Sequence, residues 1–320
     1  TFLASCEKME LALNPLDYYA SETFWKNESQ VNGAMIGLHT QLRLQQNTLW
    51  GMGELRGGTL RDGTSFTGTA SLNNSSIIIQ DLRESTPGYS GWANLYAPIF
   101  QVNNFIYQVE QASYLAEDKK QYFLGQAYGL RAFYYFNLYR TFGRIPLIAV
   151  PQVAINTPTS AEEAFAARSG TEAEALDFIK ADLENSLRNF GSNELILSKK
   201  AQWSLAASQM LKTEVFLWSA KVLTDGKAPQ STAQDLQTAK AAVEAVLPKF
   251  SLLEDFADVF ASSSKATSLG NNEVIFALRY EPNEATNFFG NFLYSQSDDI
   301  SGYVDDKGIA IPADPLKVAS

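Results

Sequence analysis

Cysteine and histidine are all but missing: the 320 residues hold one of each, Cys6 and His39. One cysteine excludes an intrachain disulfide, and one histidine excludes most histidine-based metal sites. Long apolar runs are also missing. No stretch of about 18 apolar residues exists, so the sequence contains no membrane-spanning helix. Positive charge is in deficit, with 25 Lys and Arg against 35 Asp and Glu, a net charge of −10. An acidic surface repels phosphate backbones, which argues against nucleic acid as a partner. Nucleotide-binding and catalytic motifs are missing too: no G-x-x-x-x-G-K, no G-x-S-x-G, no H-E-x-x-H. What is present is a globular composition, 45% hydrophobic and 19% charged, with an aromatic share of 12%.

The segment Gly125–Leu147 carries the most information. Phe123, Ala127, Leu130, Tyr134 and Leu138 fall at i, i+4, i+7, i+11 and i+15, while Phe133 and Phe136 point elsewhere on the wheel. A helix so widely apolar is packed on several sides. Gly143 suits the left-handed residue after a helix, and Pro146 cannot continue one. Arg131 sits amid this apolar segment, and a buried guanidinium needs fixed polar partners.

Helical spacing predicts further helices at about 28–46, 91–111, 171–190, 199–223 and 232–247. Successive helix pairs with modest loops predict a mostly α fold of tetratricopeptide-like stacked hairpins. Strands are few: Glu273–Tyr280 (EVIFALRY) and Ile77–Ile79 are the candidates. Two regions, about 50–90 and 281–320, lack periodicity and are rich in Gly, Asn, Ser, Thr, Asp and aromatics. Long irregular segments in a compact protein are usually functional or disordered.

Candidate chemistry is sparse. His39 is read as a partly exposed polar residue. Asp182 and Glu184 are read as the solvated face of an amphipathic helix rather than as a catalytic pair. Asp298-Asp299 and Asp305-Asp306 lack the spacing of a calcium loop and are read as solvated charge. No cofactor and no metal is expected. Binding is better supported. Trp50, Phe66, Tyr89, Phe288, Phe289, Tyr294 and Tyr303 fall in the irregular regions, with Arg56, Arg61 and Asp62 beside them. Sugars offer C–H faces to rings and hydroxyls to polar side chains, so these residues are the candidate ligand contacts.

The chain resembles the SusD/RagB-like proteins, surface lipoproteins of Bacteroidetes nutrient uptake. Their signature helix runs roughly A-E-A-x-F-L-R-A-F-Y-Y-F-x-L-x-x-x-F-G-x-x-P-L. Ala127, Leu130–Phe136, Leu138, Phe142, Gly143, Pro146 and Leu147 match it. Gln126 stands where an acid is usual, which removes a salt bridge from there to Arg131, and Gly129 stands where an aromatic is usual. Similar blocks continue from Trp92 to Asn103, from Ile179 to Leu183, across Trp203–Leu223, at Leu252–Phe260 and at Asn272–Tyr280.

The resemblance implies a non-enzymatic binding protein. It would capture oligosaccharides and pass them to a SusC-type TonB-dependent transporter at the outer membrane; capture of oligopeptides is the family's alternative. A tetratricopeptide-like protein–protein scaffold and, more remotely, an extracytoplasmic hydrolase are readings from other classes. Leu3-Ala4-Ser5-Cys6 is similar to a lipobox, which makes Cys6 the lipidation site and residues 1–5 a signal-peptide remnant. Residues 6–320 are then one domain, with a helical scaffold over about 28–280. Family members usually continue past the last residue here, so a closing segment is expected beyond it.

Overall fold

The structure is a computed structural model that describes residues 24–57, 77, 80–89, 91–155, 160, 168–260, 271–280 and 285. Helices dominate. They are α1 (Glu28–Leu44), α2 (Gln46–Met52), α3 (Ala93–Glu110), α4 (Glu117–Phe142), α5 (Glu172–Phe190), α6 (Leu205–Lys221) and α7 (Thr232–Glu244). Short turns of helix occur at Gln152–Ile155 and Phe256–Phe260. Each long helix packs chiefly on its neighbours in sequence, α3 on α4, α4 on α5, α5 on α6 and α6 on α7. This is the stacked-hairpin architecture expected from the sequence.

Local sequence explains the helix ends. The side chains of Asn27, Thr171 and Ser204 accept from the backbone N–H three residues on, at 3.0, 3.1 and 3.3 Å. Gly143 ends α4 at φ 67° and gives its N–H to the Tyr139 carbonyl at 2.9 Å. A side chain is strained at that φ, which is why glycine is the residue there. After it, Ile145 accepts the Ser169 N–H at 2.8 Å and Pro146 accepts the Tyr96 hydroxyl at 2.8 Å, so the exit strap is tied to α3 and to the start of α5.

α4 is the central element. It begins eight residues before the signature segment and stops at Phe142. Leu130, Tyr134, Tyr135, Phe136 and Leu138 are fully buried. Tyr135 lies edge-on to Phe178 and Tyr96, with ring centroids 4.9 and 6.3 Å away. Its hydroxyl donates to the Ile148 carbonyl (2.9 Å) and accepts the Ile148 N–H (2.8 Å).

The structure corrects several expectations. Asp182 is not solvated: it is 2% exposed and holds Arg131 across the α4–α5 interface. It lies three residues after Ile179 and beside Leu183, inside the apolar stripe. Glu184 does stay exposed, paired with Lys212 at 2.6 Å. His39 is buried rather than partly exposed, because it turns inward beside Met35 and both ring nitrogens are used. Nδ1 meets the Met35 carbonyl at 2.9 Å, and Nε2 accepts the Trp203 N–H at 2.8 Å.

Glu273–Tyr280 runs without a β-ladder. Its Ala277 N–H goes to the Lys200 carbonyl at 3.0 Å, and Phe276 and Leu278 pack on the helical core. Apolar residues there serve a clasp across helices rather than a sheet. Ile77 is helical; 78 and 79 lie outside the described residues. Among the described residues the β structure is limited to isolated antiparallel bridges, Arg83–Thr86, Pro146–Arg168 and Thr224–Lys227. The helix expected from 199 begins only at Leu205. Ser198, Lys199 and Lys200 instead form a left-handed turn, with φ of 51°, 54° and 67°.

Candidate ligand-binding cavity

The chain leaves α2 at Gly53 and makes a tight 3-10 turn, Glu54–Arg56. That turn buries Leu55 (2% exposed) and leaves Arg56 in solvent. Leu55 forms a small satellite core with Ile77, and Trp50 and Tyr89 pack against it. The Tyr89 ring also lies beside Gly51. Gln80 reaches back to donate from Nε2 to the Arg56 carbonyl at 3.1 Å. A turn with paired backbone hydrogen bonds between Arg83 and Thr86, and the Arg83–Asp81 ion pair at 2.8 Å, shape the same loop.

This loop and the scaffold border a half-open cavity of about 440 Å³. Arg56, Ile77, Gln80 and Leu82 line it from the loop side; Arg140 of α4 and Trp218 of α6 line it from the scaffold. Arg140 is held in place. It pairs with Glu214, donates from Nη2 to Asn137 Oδ1 at 3.0 Å, and lies 4.4 Å over the Phe136 ring. Trp218 stands edge-on to the same ring at 6.0 Å and 88°. The volume is within the usual range for small-ligand sites, about 300–1,000 Å³.

Two guanidinium groups, a primary amide and an indole are a binding set. Guanidinium and amide N–H groups donate to hydroxyl oxygens, and an indole face takes apolar C–H surface. The described lining holds no carboxylate, histidine or cysteine to act as nucleophile or general base.

Of the residues expected from sequence, the structure brings Trp50, Arg56 and Tyr89 to this region. Arg56 lines the cavity, while Trp50 and Tyr89 are half-buried supports beneath the loop. Cys6, Arg61, Asp62, Phe66, Phe288, Phe289, Tyr294 and Tyr303 lie outside the described residues. Gln80, Arg140 and Trp218 escape a sequence reading. Arg140 and Trp218 sit in helices whose apolar neighbours suggest packing alone, and Gln80 is one polar residue in a polar loop.

A buried polar node ties the scaffold helices together. The Arg131 guanidinium donates Nε to Asp182 Oδ2 and Nη2 to Asp182 Oδ1, both at 2.7 Å. Its Nη1 donates to Asn103 Oδ1 (2.9 Å) and the Ala149 carbonyl (3.0 Å), and it lies over Tyr128 and Phe178. One side chain thus ties α3, α4, α5 and the strap after α4. Burial pushes the Asp182 carboxyl upward, and Arg131 pulls it back down.

Residues 15–210, more than half of the chain, match the sequence profile of a SusD-like family described as starch-binding and associating with the outer membrane. The chain belongs to the SusD-like family. SusD-like protein P38 of Formosa agariphila is 28% identical over 191 residues, covering 58% of this chain and 35% of P38. A solved SusD superfamily protein of Bacteroides fragilis NCTC 9343 is 37% identical with a TM-score of 0.71, over 85% of this chain and 53% of that one. Bacteroides fragilis NanU is 31% identical with a TM-score of 0.70, over 85% of this chain and 51% of NanU. The SusD-like chain therefore spans about half the length of these solved relatives. Among its described residues no helix is long and apolar enough to cross a membrane.

Proposed function

We propose that this SusD-like chain is a non-enzymatic nutrient-binding lipoprotein of the outer membrane, facing the cell exterior. It captures an oligosaccharide and hands it to a SusC-type TonB-dependent transporter. The observation that carries this reading is the match of residues 15–210 to a family of starch-binding, outer-membrane-associated proteins. The cavity between the Arg56 loop and the α4–α6 scaffold supports it, because its described lining offers hydrogen-bond donors and an indole. The helices serve as scaffold and transporter-facing surface. Acylated Cys6 anchors the chain, and stable anchoring needs more than one lipid chain.

Calorimetry of the full-length protein against panels of oligosaccharides and oligopeptides, with product analysis, tests the reading. Binding of a glycan without turnover is the expected result, at micromolar or weaker affinity, because a carrier must release its cargo. Cleavage of any ligand by pure protein overturns the non-enzymatic assignment. Binding of peptides alone overturns the glycan assignment. For the anchor, Cys6→Ala protein should leave the outer-membrane fraction in cells lacking the transporter; its retention there would refute lipidation as the anchor.

A further inference from the structure

Among the described residues, every arginine but one has a partner for its guanidinium. Arg83, Arg131 and Arg140 pair with Asp81, Asp182 and Glu214. Arg43, Arg144 and Arg188 donate to oxygens of other residues. Arg168 lies over the Trp92 ring, and Arg279 is engaged as well. Arg56 is the exception, and it lines the cavity beneath its loop.

The backbone that carries Arg56 is held on both sides. Its N–H donates to the Gly53 carbonyl at 3.0 Å, and its carbonyl accepts Gln80 Nε2 at 3.1 Å. Gln80 makes that contact from φ 58°. A glutamine seldom adopts this left-handed conformation, which persists only where the surroundings hold it and is common at ligand clamps. The loop thus fixes a charge and supplies no counter-charge. Gln80 itself is exposed, and its Oε1 has no partner among the described residues. An accessible acceptor therefore stands beside the unpaired fork.

The charge balance of the cavity follows. Glu214 neutralises Arg140, so Arg56 leaves one positive charge uncompensated. Glu54 and Asp81, the acids nearest to the lining residues in sequence, do not line the cavity, and Asp81 is already paired with Arg83. The whole chain carries a net charge of −10, so this is a local reversal of sign. A planar guanidinium fork matches a carboxylate with two parallel hydrogen bonds, a fit that a lone hydroxyl cannot make.

We propose that this cavity selects a sugar unit bearing a carboxylate. The carboxylate takes the Arg56 fork, a ring hydroxyl donates to Gln80 Oε1, and the C–H face of the ring meets Trp218 and Leu82. The inference rests on the glycan reading above for the ring; the preference for an acid rests on the unpaired Arg56.

Methyl β-glucuronoside and methyl β-glucoside share a ring and differ in the carboxylate, so the test titrates full-length protein with each at low salt. The glucuronoside should bind about fivefold more tightly, a difference of about 1 kcal/mol. An exposed arginine supports no larger preference. Arg56→Gln should reduce the preference to under about twofold, and Arg56→Glu should reverse it. Arg83→Gln removes the same charge from the same loop outside the lining and should keep it. Equal affinity for the two glycosides in the unaltered protein overturns the proposal, as does a preference that survives in both Arg56 variants. Equal loss in Arg83→Gln also overturns it, because a general field and no contact would then be at work. N-acetyl-trialanine binding more tightly than the glucuronoside overturns the sugar and leaves a carboxylate on a peptide. Binding of neutral oligosaccharide without any preference for the glucuronoside defeats this inference alone. Failure of every glycan to bind, neutral or acidic, defeats the glycan reading and this inference together.

Discussion

Arg131 and Asp182, 51 residues apart, form a two-pronged ion pair with both N···O distances at 2.7 Å and both side chains almost wholly buried. Fork-to-fork geometry is the strongest arrangement open to these groups. It is also the least forgiving, because neither charge has water to fall back on. Arg131→Met or Asp182→Leu should each lower unfolding free energy by about 3–5 kcal/mol, since each strands its partner. The double variant, apolar on both sides, should recover much of the loss. Chemical denaturation of the three variants checks this. Single variants within about 0.5 kcal/mol of the parent would mean that the pair is solvated and contributes little.

Gly129 prepares the place of Trp203. A Cβ at 129 would lie 2.1 Å from the Trp203 indole nitrogen and 2.9 Å from Ser208 Oγ. That indole N–H starts a chain in which each hydroxyl uses its single proton: Trp203 Nε1 to Ser208 Oγ (2.7 Å), Ser208 to Ser186 (2.7 Å), Ser186 to the Gly125 carbonyl (2.6 Å). The chain links α4, α5 and α6. Glycine to alanine inside a helix ordinarily gains about 1 kcal/mol. Gly129→Ala should instead lose about 1–3 kcal/mol, as overpacked cores do. A raised melting temperature would show that the indole moves aside at no cost.

His39 makes stability depend on pH. Burial lowers its pKa from 6.5 to about 4, against a smaller opposing effect from the Met35 carbonyl. Its Nε2 accepts the Trp203 N–H, so a proton there would face another proton. Between pH 6.5 and 4 the unfolded chain therefore binds a proton that the folded chain refuses. Stability is full above pH 6.5 and falls as pH drops toward 4, by about 3 kcal/mol from this group. Carboxylates titrate in the same window, so the measurement is the difference between the parent and His39→Gln in denaturant midpoint at pH 7 and pH 4.5. The parent should lose more. Parallel losses would place His39 in contact with solvent.

These three sites also mark how far the sequence is legible. Helix positions follow from the spacing of Leu130, Tyr134 and Leu138 or of Ile179 and Leu183, because burial repeats at the helical period. Arg131 is conspicuous for the same reason, being charged within an apolar stripe. Asp182 is not, since a carboxylate on an amphipathic helix is normally solvated and its partner lies on another helix. The left-handed turn at Ser198–Lys200 has no glycine to announce it; Asn271, Phe250 and Ala277, which hold Lys200, impose it from a distance. The cavity is hidden in the same way. Arg56 is visible as a polar residue in an irregular loop, but Arg140 and Trp218 join it only through the packing of α4 against α6.

Arg56 offers the cleanest test of the cavity. It is exposed, its backbone carbonyl is held by Gln80, and it lines the cavity without supporting the core. Arg56→Gln keeps a donor but removes the charge. It should weaken glycan binding by about fivefold to tenfold, the loss of part of one charge-assisted hydrogen bond, and leave the melting temperature within experimental error. Arg83→Gln on the same loop is the control. Arg83 pairs with Asp81 and does not line the cavity, so its variant should bind as the parent does. Trp50→Ala should behave differently from both. Its ring packs on Leu55 and Ile77, so the variant should destabilise the loop and lower affinity only as the loop loosens. Affinity electrophoresis over a glycan series, with melting curves for each variant, separates these outcomes. Weakening by Arg83→Gln equal to that by Arg56→Gln would move the ligand off this cavity and onto the outer face of the loop.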